Sequence, residues 1–175
     1  MSFESFLASI EAPALREVAL YWQEARGSRR MPGWKDIDPA AIARHLPIVW
    51  SWKYDRHTDT FTGRLAGEEI NEVFGKSLRG VPMKEFFADW QYDLIFARHR
   101  RVVTEPAFAH GVGPVFIHAG RSGMGERVIL PLANDGVLGD GILGATVYRM
   151  TPSERRSETL RVEPAQETVG FFSLD

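Results

Sequence analysis

The sequence predicts an α+β fold: one five-stranded antiparallel sheet, short crossover helices over one face, and N-terminal flanking helices. Three observations predict it. IVWSWKY alternates with period two and is closely followed by TFTGRLA, the pattern of a hairpin. Three further strand-like runs sit together near the end of the chain. Between the two groups, apolar residues recur at helical spacing.

Each element has its own signal. Phe3, Phe6, Leu7 and Ile10 share one helical face. Pro13 suits the first turn of a second helix, whose stripe is Leu15, Val18, Ala19 and Trp22 and whose end is Gly27. In DIDPAAIARHLP, Asp38 as N-cap and Pro39 at the first position predict a helix that stops near His45, ahead of Pro47. Ile48, Trp50, Trp52 and Tyr54 then define one face of a half-buried strand, and DRHTD turns the chain. On the returning strand Phe61 and Leu65 share a face.

Ile70, Val73 and Phe74 predict a helix of about two turns stopped by Gly75, and MKEFF a further short piece. Tyr92, Ile95, Phe96, His99, Val102 and Val103 form the stripe of a longer helix over residues 90–103. Strands follow over residues 107–118, 126–133 and 142–149, with GRSG and NDGVLGDG as turns. Pro131 and Pro114 conflict with central-strand positions and predict a bulge or an early strand end. The organisation expected is N-terminal amphipathic helices at 1–30, a domain at 31–150, and a polar C-terminal tail at 151–175 that carries a late apolar patch, Val169 to Phe172.

Composition narrows the function. The chain has 175 residues, enough for one domain that buries roughly two thirds of its unfolded surface. It has no cysteine, which excludes disulfides, thiolate metal sites and thiol nucleophiles. With 21 basic and 23 acidic residues the net charge is −2, and Arg98-His99-Arg100-Arg101 reads as a solvated helix face, so no nucleic-acid partner is expected. There is no basic leader and no apolar run long enough for a membrane span, so a cytoplasmic location is expected.

Catalytic signatures are missing: no G-x-S-x-G, H-E-x-x-H, P-loop or G-x-G-x-x-G appears. GVGPVF and GDGILG fit strand and hairpin roles, Ser122 reads as part of an exposed turn, and Glu68 and Glu69 diverge on a helix. No catalytic or metal-ligating residue is assigned, and the chain is not expected to be an enzyme. His45 and His57 are expected to face solvent; His110 and His118 lie on a strand.

Three blocks resemble PAS domains, in particular small bacterial PAS-like proteins that stand alone: MPGWKDIDPAAIARHLPIVWSWKYD, FTGRLAGEEINEVFGKSLRG and ERVILPLANDGVLGDGILGATVYR. They run from Met31 to Arg149, with the N-terminal helices and the tail outside. The resemblance implies a PAS-like sheet whose short helices form a lid over a small cavity. It also implies a sensory or regulatory module that binds a small ligand or a regulatory protein partner and signals through its association. The ligand-contacting residues then expected are Trp50, Trp52, Leu65, Phe74, Phe87, Ile95, His99 and Val102. Some haem-binding PAS domains carry the iron ligand on the corresponding helix, so His99 has three readings: core residue, ligand contact or axial ligand. The cofactor is unknown; cysteine-linked flavin is excluded.

Helices flanking PAS cores often form dimers, so the N-terminal stripes imply a homodimer, with the sheet-capping role as the other reading. Deleting residues 1–27 is then expected to remove the dimer and leave a folded core. Two other classes remain open from the residues. One is a cone-shaped NTF2-like enzyme pairing His99 or His110 with Asp89 or Asp93. The other is a structural interaction module with a filled core.

Overall fold

The computed structural model describes residues 2–117, 121–152 and 166–174. Two helices, α1 (Phe3–Ser9) and α2 (Pro13–Arg26), precede the hairpin of β1 (Val49–Asp55) and β2 (Thr60–Ala66). The crossover contains α3 (Glu68–Phe74), α4 (Met83–Phe86) and α5 (Asp89–Thr104). It leads to β3 (Ala107–Ile117), β4 (Arg121–Leu132), β5 (Gly141–Pro152) and β6 (Thr168–Ser173). The strands make one sheet in the order β2-β1-β5-β4-β3-β6, and every neighbouring pair is antiparallel.

Both faces of the sheet are apolar, because β1, β4 and β5 bury consecutive residues on opposite sides. Val49, Val128, Leu130, Leu143 and Ala145 face α1 and α2; Trp50, Trp52, Ile129 and Ile142 face α5. The stripe predicted for the first two helices lies against this sheet, with Phe6, Ile10, Leu15, Val18, Ala19 and Trp22 fully buried. Trp22 Nε1 donates to the Pro131 carbonyl at 2.8 Å. A carboxylate anchors the helix pair: Glu126 of β4 accepts the backbone N–H groups of Glu11 (2.6 Å) and Ala12 (2.9 Å) and lies 2.9 Å from His110 Nε2. Ala12 has no side chain able to cap α2, and Glu126 supplies that function across the core.

Several expectations are corrected. Residues 38–45 form successive i→i+3 turns leading into a 3₁₀ segment (Ala43–Ile48) in place of the expected helix, although Asp38 still caps the first turn by accepting the Ala40 N–H at 2.9 Å. His45 is buried, its Nε2 2.6 Å from Glu17 on α2. The sheet has six strands, since the patch near Val169 to Phe172 pairs with β3 from Val112↔Thr168 to Ala107↔Ser173. Arg121–Gly123 belong to β4, so Ser122 stands in a strand opposite Phe116 and not in a turn. His118 and residues 153–165 of the expected tail lie outside the described residues.

Neither proline interrupts its strand. Pro131 pairs with Ile142 where β3 no longer flanks β4, and Pro114 pairs with Met124 beyond the last β6 partner. The bulge falls elsewhere: Ser51 pairs with Leu65 and Trp52 with Gly63, leaving Arg64 as the extra residue. Gly63 is required there, because a Cβ would meet the Leu78 carbonyl oxygen at 1.9 Å. That contact lets the segment after α3 close on the sheet, with Gly63 N–H bonded to Val81 O and Gly80 N–H to Gly63 O.

The burial of α1 and α2 sets the first prediction. Deleting residues 1–27 uncovers one whole sheet face, so no cooperative urea transition remains; a folded core from that deletion would contradict this assignment. Trp22→Ala lowers the unfolding free energy of the full chain by about 3–5 kcal/mol.

Candidate functional site

On the α5 face, the wide side chains of β1 and the lid fail to close completely. A cavity of about 50 Å³ remains, lined by Trp50 and Trp52 of β1, Ile95 and His99 of α5, Thr146 and Tyr148 of β5, Arg127 of β4, and Ile70, Phe74, Leu78, Phe86 and Phe87 of the lid. Such a volume takes a few atoms; drug-sized sites run to several hundred Å³. Its roof is a chain of aromatic contacts. Trp52 meets Phe86 edge-on at 5.7 Å, Phe86 meets Phe74 at 5.0 Å, and Phe86 meets Phe87 at 5.0 Å. The lid is thin: α3 ends at Gly75, and Phe74 remains 38% exposed.

The floor is set by Gly144. A Cβ there would lie 2.3 Å from the Trp50 indole, so the ring lies flat over the backbone only because position 144 has no side chain. Trp50 Nε1 then donates to Thr146 Oγ1 at 2.8 Å.

Six of the eight residues expected to contact ligand line this cavity. Val102 is fully buried beneath it, in the same apolar cluster but outside the lining. Leu65 lies elsewhere, 43% exposed on the opposite side of the sheet. The bulge at Arg64 explains this, since one extra residue reverses the facing of everything after it while Phe61 stays in the cavity cluster. Arg127, Thr146 and Tyr148 were not anticipated. Their signal was period two, because Arg127 shares parity with Ile129, and Thr146 and Tyr148 share it with Ile142 and Gly144.

His99 is the polar centre of the site. It is 6% exposed, between the rings of Trp50 (5.5 Å) and Phe61 (6.0 Å). Its Nδ1 contacts the Ile95 carbonyl at 2.8 Å, and a carbonyl only accepts, so Nδ1 carries the proton and Nε2 keeps its lone pair. Burial pushes its pKa down to about 4, aided by the Arg127 and Arg98 charges. Burial likewise raises the Tyr148 phenol and lowers the Arg98 guanidinium. Haem does not fit beside His99, because a cavity of about 50 Å³ is far too small for the macrocycle. The His/Asp pairs of the enzyme reading do not assemble either. His110 lies under α1 and α2 against Glu126, and Asp89 and Asp93 are exposed.

The other concavity of note is an open groove of about 760 Å³ on the opposite face, beside β1 and β2. Trp34, Lys53, Arg64, Leu65 and Arg79 line it, and the Arg64 guanidinium lies 4.3 Å from the Trp34 ring centroid.

A pH dependence follows from His99. Its folded pKa is depressed to about 4, so between there and the ordinary value near 6.5 the unfolded chain binds a proton that the native state refuses. Stability therefore falls as pH drops from about 7 to 4, by up to about 3 kcal/mol. His99→Gln flattens that slope in urea unfolding at several pH values, and an unchanged slope would exclude His99 as its source.

No curated protein matches the chain. The family model described as the PAS domain matches residues 10–147, which takes in α2, the hairpin, the lid, α5 and β3 to most of β5. That match over well over half of the chain, on an antiparallel sheet with short helices closing a cavity, makes this chain a member of the PAS domain family.

Proposed function

We propose that this PAS domain is a sensor that takes a small molecule into the cavity beneath α3 and α4 and reports it by changing its association with a second copy or a regulatory protein. PAS domains are in general sensory or regulatory modules, most of them without catalytic activity. The observation that carries the ligand reading is the cavity itself. It places a neutral histidine, an arginine and a hydroxyl pair within an otherwise apolar shell, and only short helices close it. Ligand binding orders the lid over residues 70–87 and shifts α5 against the sheet.

The open groove supports association with a regulatory protein, since it combines apolar floor with Lys53, Arg64 and Arg79. Leu20, 48% exposed on α2, supports a homodimer through the outer side of the N-terminal helices, their inner stripe being buried on the sheet. No helix among the described residues is long and apolar enough to cross a membrane. A cytoplasmic location is part of the proposal, and the absence of cysteine supports it.

Native mass spectrometry of freshly purified full-length protein tests both halves. The expected spectrum shows a dimer carrying a small-molecule adduct. Gly144→Ala, which drives the Trp50 ring into the cavity, reduces the adduct. A bare monomer from wild-type protein would contradict the ligand and the homodimer together.

A further inference from the structure

The strand β3 carries two glycines, Gly111 and Gly113, in a GVGPVF run that the fold alone does not explain. Glu167, one residue ahead of β6, fills the slot they leave. A Cβ on Gly111 would lie 2.5 Å from Glu167 Oε1, and one on Gly113 would lie 2.7 Å from Glu167 Cα. The Glu167 side chain is only 7% exposed. Its carboxylate lies between two guanidinium groups, Arg98 of α5 at 2.5 Å and Arg127 of β4 at 2.9 Å.

The two contacts differ in quality. Arg98 Nη1 donates a hydrogen bond to Glu167 Oε2. Arg127 Nε and Glu167 Oε1 form an ion pair at 2.9 Å that is not aligned as a hydrogen bond, and both atoms are buried with no hydrogen-bond partner among the described residues. A buried, unsatisfied donor is costly, and a better-placed carboxylate would relieve it. Arg127, His99 and Ile95 line both the Glu167 socket and the cavity, so they form the partition between the two. Among the described residues, the socket is lined by two guanidinium groups, one carboxylate and a neutral His99, so Arg127 faces a carboxylate that it shares with Arg98.

We propose that Arg127 is the recognition group for a small monocarboxylate with a short apolar tail. The tail occupies the cavity, and the ligand carboxylate competes with Glu167 for the guanidinium. This rests on the sensor reading above and gives it a ligand class. It also supplies a route outward, because Glu167 joins directly to β6, which pairs with β3 at the sheet edge. Loss of the Arg127 contact frees the start of that edge strand from its slot.

The test titrates butyrate into ¹⁵N-labelled full-length protein while following the arginine Nε–H signals and the cavity indole N–H signals, with 1-butanol as the uncharged control. Saturable butyrate binding that moves the Arg127 signal, with butanol at least about tenfold weaker, is expected. Glu167→Gln removes the internal competitor and tightens butyrate about tenfold. Gly111→Ala displaces the same carboxylate without altering either arginine, so it tightens binding too and guards against a folding defect in the first variant. Arg127→Met abolishes the preference for butyrate. Equal binding of butyrate and butanol, indifferent to Glu167→Gln and Gly111→Ala, overturns the carboxylate proposal and leaves the cavity sensor standing. No response of the cavity signals to either probe, in wild type and both variants, overturns the carboxylate proposal, and with no co-purified mass it removes the sensor reading as well.

Discussion

A single sheet with two apolar faces has to be covered twice by the same chain, and the remaining features of the structure follow from how each cover is made. On one face the cover is α1 and α2. Their stripe is fully buried, and the Glu126 carboxylate fixes their junction through two backbone N–H groups. On the other face the cover is made of one long helix and two short ones, α5 with α3 and α4. Helices of one or two turns have little stability of their own. The two faces are thus unequal in rigidity, and the polar cavity lies on the less rigid one.

The cavity has few polar groups, and two of them, Trp50 Nε1 and His99, are placed by backbone features. The Trp50 ring needs the bare Gly144 backbone, which in turn sets its hydrogen bond to Thr146. His99 is kept neutral by burial and by the arginines around it. Arg127 lies between the cavity and the socket of Glu167. A change in the cavity therefore has a short physical path to the C-terminal strand, through one guanidinium and one carboxylate.

Local pattern was a good guide wherever local forces decide. The alternation of Trp50, Trp52 and Tyr54 and the stripe of Ile95, His99 and Val102 were legible, and with them most of the cavity wall. The short α3 helix and its end at Gly75 were legible for the same reason. Pattern failed where contacts distant in sequence decide. The bulge at Arg64 depends on the approach of Leu78 to Gly63, and it turned Leu65 away from the cavity. The segment after Asp38-Pro39 forms 3₁₀ turns in place of the expected helix, tied to α2 by Tyr21 at Asp38 and by Glu17 at His45. The sixth strand needed the edge of β3, and the roles of Glu126 and Glu167 needed partners more than sixty residues away. No spacing within the chain announces such pairs.

The division into a firm face and a yielding face is the central claim, and native-state hydrogen exchange measures it directly. The account predicts that amides of α3 and α4 exchange through local openings at least about 2 kcal/mol below global unfolding, while those of α2, β4 and β5 exchange only with global unfolding. Equal protection of the lid and of α2 would contradict it.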